Sequence, residues 1–212
     1  MTARDRILTA IRNSLDPRRP DPDAIAAQAA ALLADPQATR PQLAAPDLAD
    51  AFALKATALG TTIDHVAQMA DIPAAVRRYL ADHGLPGVAL QPAAELAALD
   101  WGGIATHPDI APDEAVGLGL ALWGIAESGS LVVHSGPDNP ILLSFLPLHH
   151  ILVLHRNNLL PHLEDYAAVV QGAAQPRNAI LITGPSGTTD IEGSYVRGAH
   201  GPGFLHVLLV GS

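Results

Sequence analysis

The stretch HILVLHRNNLLPHLEDYAAVVQGAAQPRNAILITG, residues 150–184, decides how the fold is read. It opens on an uninterrupted apolar run, ILVL at 151–154, passes through a segment read as helix, Pro161–Gly172, and closes on a second apolar run, AILI at 179–182. A third run of the same kind, HVLLV, occupies 206–210. Strands without polar alternation are buried on both faces. When helices separate them, they belong to a mostly parallel sheet covered on each side.

Outward from that stretch, helix and strand keep alternating. The sequence predicts helix Asp47–Leu59, strand Thr61–Ala67, helix Pro73–Asp82 capped by Gly84, strand Gly87–Gln91 and short helix Pro92–Leu99. After a less regular region through Trp101 and Pro108 come strand VGLGLAL from Val116, a turn at Ala126–Ser130 and strand Leu131–Ser135. Residues Asn139–Leu146 read as a short helix, His150–His155 and Ala179–Thr183 as strands, Thr189–Ala199 as a helix and Phe204–Val210 as the last strand. Upstream, Ile7, Leu8, Ile11 and Leu15 fall at helical spacing, and an alanine-rich helix covers about Asp23–Ala34. Two proline-punctuated segments, DPRRPDPD at 16–23 and DPQATRPQLAAPD at 35–47, set these helices apart. The expected organisation is an N-terminal helical arm over 1–46 and an α/β domain over 47–212. The arm is either an appendage packed on the domain or a docking element for a partner.

Composition removes several classes of function. The 212 residues carry a net charge of −9, which argues against nucleic acid, because phosphate binding needs clustered Lys and Arg. There are no cysteines, so disulfides, thiol catalysis and cysteine-ligated iron–sulfur clusters are excluded. The lone lysine is Lys55, which excludes lysine chemistry in the C-terminal half. No run approaches the roughly 20 apolar residues that cross a bilayer, and the N-terminus lacks the apolar core of a signal peptide. The expectation is a soluble cytoplasmic protein with no membrane partner. Ten histidines raise the question of a metal, but no HExxH or HxH spacing occurs. His149 and His150, adjacent on a strand, point to opposite faces. No metal site and no cofactor are expected.

In sheets of this class ligands bind beyond the carboxyl ends of the strands, which directs attention to two loops. In GIAESGSLVV, Gly124–Val133, Glu127 is a candidate base, nucleophile or hydrogen-bond acceptor, and Gly129 permits close approach of a ligand. Ser128 and Ser130 offer hydroxyls. The plain alternative is a tight turn with a solvated glutamate. In ITGPSGTTDIEGSYVRGAHGPG, residues 182–203, the chain leaves an apolar strand through Gly184, Pro185, Ser186, Gly187, Thr188 and Thr189 and is expected to enter a helix at Asp190. Strand, small polar loop, then helix is an anion-binding arrangement. Asp190 and Glu192 already bring negative charge to that turn, so they either cap the helix or orient a neutral or cationic group. No lysine follows the glycines as a P-loop requires, and Thr188 stands where a hydrolase elbow needs glycine. His200, held by Gly201, Pro202 and Gly203, either transfers a proton or binds an anion, or is a structural turn residue.

Taken together, GIAESGSLVVHSG, SFLPLHHILVL and ITGPSGTTDIEGSYVRGAHGPGFLHVLLV resemble the LUD domain of the lactate-utilisation protein C family. The matching positions are Glu127, Ser128, Gly129, Ser130, Pro147, His150, Gly184, Pro185, Ser186, Thr188, Asp190, Ile191, Glu192, His200, Gly201 and Pro202. The resemblance implies a fold similar to the sugar-phosphate isomerase and CoA-transferase class. It also implies an accessory role beside two iron–sulfur partner proteins in oxidising L-lactate to pyruvate. The ligand-binding set expected on this footing is Glu127, Ser128, Gly129, Ser130, His150, Gly184, Pro185, Ser186, Gly187, Thr188, Asp190, Glu192 and His200, with Glu127 and His200 as catalytic candidates. Two other functions remain open. One is an independent enzyme using Glu127 as the glutamate of a CoA-transferase does. The other is a module that senses a small carboxylate or phosphate.

Overall fold

The computed structural model describes residues 2–14, 21–35, 37, 40–189, 193 and 195–211. The predicted roles of Asp190 and Glu192, and residues 16–20 of the first proline-rich segment, lie outside them. The chain divides into two compact units, Met1–Pro41 and Gln42–Ser212. In the first, α1 (Ala3–Ser14) opens on a reciprocal pair: the Thr2 amide donates to the Asp5 carboxylate at 2.8 Å, and the Asp5 amide donates to Thr2 Oγ1 at 3.2 Å. The Thr2 hydroxyl, donating to the same carboxylate at 2.7 Å, and then the Thr2 amide hold the Asp5 carboxyl below its usual range. Helix α2 (Pro22–Ala34) starts on proline, which loses no hydrogen bond in the first turn, and Asp21 caps it.

The second unit runs α3 (Leu48–Ala58), β1 (Thr62–Val66), α4 (Ile72–His83), β2 (Gly87–Leu90), α5 (Ala94–Ala97), β3 (Ala105–His107), β4 (Val116–Ala121), β5 (Trp123–Ile125) and β6 (Ser130–His134). It continues with β7 (His149–His155), β8 (Leu159–Leu160), α6 (Leu163–Val169), β9 (Ala179–Ile182), β10 (Gly187–Thr189), β11 (Tyr195–Arg197) and β12 (Phe204–Val210). Six strands in the order β1-β12-β7-β4-β2-β3 pair in parallel throughout. Strand parity builds two cores. Leu152, Leu154, Leu205, Val207 and Leu209 meet Phe52 and Ala56 of α3 and Leu131 and Val133 of β6 on one face. Ile151, Val153, Leu208, Val116 and Leu118 meet Val76, Tyr79 and Leu80 of α4 and Leu96 of α5 on the other. The mostly parallel α/β sheet read from the sequence is the observed one.

The structure departs from the sequence reading in three places. AILI at 179–182 is a strand, but it sits in a separate four-stranded sheet, β8-β5-β6-β9, antiparallel to β6. That small sheet shares one face of the large sheet with α3. Strand β5, Trp123–Ile125, between the expected strand from Val116 and the expected turn at Ala126–Ser130 and assigned to no element from the sequence, pairs antiparallel with β6. The helix expected over Thr189–Ala199 is contradicted: β10 and β11 form an antiparallel hairpin, Gly187 opposite Arg197 and Thr189 opposite Tyr195. Its residues explain why. Apart from Arg197, GTT and YVR are β-branched, aromatic or glycine and lack an apolar stripe at helical period, so little compensates poor helix propensity.

Candidate functional site

Because β9 runs in the small sheet, the loop after it does not lead to the carboxyl edge of the large one. It turns back to the start of β12, where Ser186 is hydrogen-bonded to the Gly198–Gly203 loop at the amino-terminal edge of the parallel sheet. This corrects the expectation of a carboxyl-edge site. With Thr189 and Tyr195–Arg197 in strands, the helix N-terminus on which anion binding was to rest has no support among the described residues.

At that edge is a cavity of about 190 Å³, lined by Ser144, Phe145, Ile182, Thr183, Gly184, Ser186, His200, Gly201, Pro202 and Leu205 among others. The two most distinctive sequence motifs form its wall together. The Ser186 amide donates to the Pro202 carbonyl at 2.7 Å, and the Gly198 amide donates to the Ser186 carbonyl at 3.0 Å. Gly184, at φ +88°, lets the loop lie against Leu59 at the end of α3. His200 is exposed at the rim, and Ser186 is half-buried.

The first loop reaches this cavity indirectly. The hydroxyls of Ser128, Ser130 and Thr183 form a chain with 2.7 Å at each step, and Thr183 lines the cavity. Glu127 does not line it. Its carboxylate accepts the Leu163 amide at 2.8 Å, satisfying a free donor in the first turn of α6. Gly129, at φ +70°, is pressed on α3: a Cβ there would lie 2.8 Å from Ala56 Cα and collide with the Ala56 backbone. Its closest neighbour is therefore a helix rather than a ligand. Pro185, Gly187 and Thr188 flank the cavity without lining it, Pro185 packing near Gly60.

His150 is buried and pairs in register with Leu205 of the cavity floor. Burial pushes its imidazole down to about 4, and its Nδ1 has no hydrogen-bond partner. It is neutral at physiological pH. Neighbouring His149 faces the opposite core, as strand parity requires, in a ring column the sequence reading did not find. Arg197 sits 4.3 Å over Phe204, which stacks at 4.3 Å on His149, whose Nδ1 is 2.9 Å from the Tyr79 hydroxyl. Tyr79 in turn stacks on His83 at 4.2 Å and lies 4.5 Å from His206. Burial lowers His149, raises Tyr79 to about 12 and lowers His206 to about 4. The column ties α4 to β11 and so holds the hairpin that borders the cavity. Thr183, Ser144 and Phe145 were also missed; Thr183 carried a faint signal, as the polar residue ending an apolar strand.

Chemically, the cavity offers hydroxyls, a rim imidazole and an apolar floor of Leu205 and Ile182. Among the described residues, no carboxylate lines it. The set suits a small molecule with one polar end and a short apolar body. Among the described residues, no group of three or more His, Asp or Glu is placed to hold a metal ion. Nor is any described helix long and apolar enough to cross a membrane.

Comparison with known proteins matches residues 109–210 to the LUD domain. A lactate utilization protein C of Geobacillus thermodenitrificans is 32% identical over 118 residues, 52% of this chain and 49% of that protein. An uncharacterized Escherichia coli protein is 36% identical over 92 residues, 41% of this chain and 40% of that one. The matches thus span about half the length of these curated relatives, or less. Among solved structures, a DUF162 family protein from Deinococcus radiodurans superposes with a TM-score of 0.58 at 23% identity, covering 77% of this chain and 96% of that one. That likeness establishes the α/β fold.

Proposed function

We propose, starting from a chain that carries a LUD domain over residues 109–210, that it is an accessory component of a lactate-utilisation system. In this reading it binds a small anionic metabolite in the Ser186–His200 cavity and works beside iron–sulfur proteins that carry the electrons. The observation that carries the reading is the cavity wall. The GPS and HGPG motifs, which give the chain its resemblance, are hydrogen-bonded to one another around one small polar pocket. The naming of relatives as lactate utilization protein C supports the pathway. The lack of cysteine in these 212 residues supports placing the clusters on other chains. A hydroxyl chain ending at Thr183 gives the pocket hydrogen-bond donors for a carboxylate or hydroxyl, and a short 2-hydroxy acid matches its size and its mixed lining. Acyl transfer through Glu127 is less favoured, because that carboxylate is engaged by Leu163 and stands outside the cavity.

The test has two arms. Anaerobic purification of the tagged chain from lactate-grown host cells is expected to bring cysteine-rich iron–sulfur proteins with lactate-oxidising activity. Calorimetry with lactate and pyruvate is expected to show binding that Ser186→Ala and His200→Ala each weaken about tenfold. Purification of the chain alone, together with no binding of either acid, would overturn the reading.

A further inference from the structure

A second and larger cavity, about 630 Å³, lies at the other end of β9 and shares no residue with the first. It is lined by Ser135, Gly136, Asn139, Ile141, Arg177 and Asn178. Its walls are fixed by their own hydrogen bonds. The Ser135 amide donates to the Asn178 carbonyl at 2.9 Å, and Gly136 and Asn139 exchange backbone bonds at 3.1 and 3.2 Å. Asn139 Nδ2 donates to the His134 carbonyl at 2.8 Å. Ser135 Oγ accepts twice, from the Asn178 amide at 3.0 Å and from Asn178 Nδ2 at 3.2 Å. A hydroxyl has two lone pairs and one proton, so both acceptor positions are filled and the proton is left to donate.

Arg177 makes no ion pair and no hydrogen bond among the described residues, in a chain with 21 acidic and 12 basic side chains. Among the described residues, no carboxylate lines the cavity. An arginine left unpaired in an acid-rich chain, beside a hydroxyl committed to donating and a fixed carboxamide, makes a donor set with no acceptor among the described residues.

We infer that this cavity is a second anion site. It takes the phosphate or carboxylate group of a small molecule, with the Arg177 guanidinium as the charged fork and the Ser135 hydroxyl and Asn178 Nδ2 as orienting donors. The volume exceeds that of a bare phosphate, given about 30 Å³ for one water, so the ligand has a body beyond its charged group. Asn178 lies just before β9 and Thr183 just after it, so one short strand joins this site to the Ser186–His200 pocket.

Calorimetry on the full chain at pH 7.5 and low salt, with inorganic phosphate, glucose 6-phosphate and citrate as separate probes, tests the assignment and distinguishes phosphate from polycarboxylate. At least one probe is expected to bind at millimolar concentration or below. Arg177→Gln is expected to weaken it about tenfold or more, and Arg177→Lys less. Because Arg177 is exposed, its variants are expected to melt with the native chain. Ser186→Ala and His200→Ala are expected to leave this binding unchanged, which keeps the result separate from the lactate-pocket reading. Binding of none of the three probes, binding that survives Arg177→Gln, or binding lost in Ser186→Ala would overturn it.

Discussion

Strands β7 and β9 carry nearly the same kind of sequence, ILVL and AILI, and meet opposite fates. β7 is paired on both edges, by β12 and β4, and buried along all but its last residue. β9 pairs with β6 alone and alternates exposed and half-buried, with Leu181 40% exposed. The difference comes from position. β7 is central with α3 on one side and α4 on the other, whereas β9 is the last strand of its sheet and packs only Ile180 and Ile182 against the core. An apolar run therefore identifies a strand without identifying its sheet or its depth. Both cavities described above open at the ends of β9, where side chains and backbone groups remain available to a ligand.

The joint between the two sheets should be the most sensitive point in the comparison. Gly129→Ala adds a methyl against the Ala56 backbone at a left-handed φ of +70°. It is expected to cost about 3–5 kcal/mol from overpacking plus backbone strain. Chemical denaturation checks it, and a loss below about 1 kcal/mol would mean that the small sheet is not fixed on α3 through this contact.

Next, Leu152→Ala in β7 and Leu181→Ala in β9 make the same chemical change at 1% and 40% exposure. The first is expected to cost about 3 kcal/mol and the second under about 1 kcal/mol. Equal losses would show β9 to be as covered as β7.

Acid should weaken the large sheet most, though burial also lowers His134 of β6 in the small one. His150 and His206 are buried, and both are pushed down to about 4 by burial. Around His206, Asp64 opposes the shift while His83 and Arg78 reinforce it. A histidine whose folded pKa lies below its ordinary 6.5 is held neutral by the fold, while the unfolded chain takes up the proton. The stability is thus complete above about pH 6.5 and falls as pH drops toward 4. At pH 5 the loss is about 2 kcal/mol for each histidine. Urea midpoints between pH 7.5 and 5.0 measure it, and His206→Gln is expected to remove about half the slope. A slope unchanged by that substitution would assign the acid sensitivity elsewhere.

The smallest effect concerns Glu127. Glu127→Gln keeps an acceptor for the Leu163 amide and loses only its charge. It is expected to cost about 0.5–1 kcal/mol in urea denaturation, with no change in ligand binding at either cavity. A large loss of binding with stability intact would return this carboxylate to the list of site residues.

By itself, the sequence determined the alternation of helix and strand, the parallel sheet and the two motifs that meet at the Ser186–His200 cavity. The reason is that buried strands must be continuously apolar and that tight loops need glycine, proline and small hydroxyls. Both demands are local and leave local marks, as at Gly84 ending α4 and Gly184 beside Leu59. Only the tertiary structure decided that AILI joins a second sheet, that GTT and YVR pair as a hairpin, and that the site lies at the amino edge. It also decided that the Glu127 carboxylate caps α6, and it brought Tyr79, His149, Phe204 and Arg197 into one column. Those outcomes depend on which surfaces remain uncovered once the large sheet has formed, and on partners as distant as Tyr79 and His149, 70 positions apart, about which no residue carries a local signal.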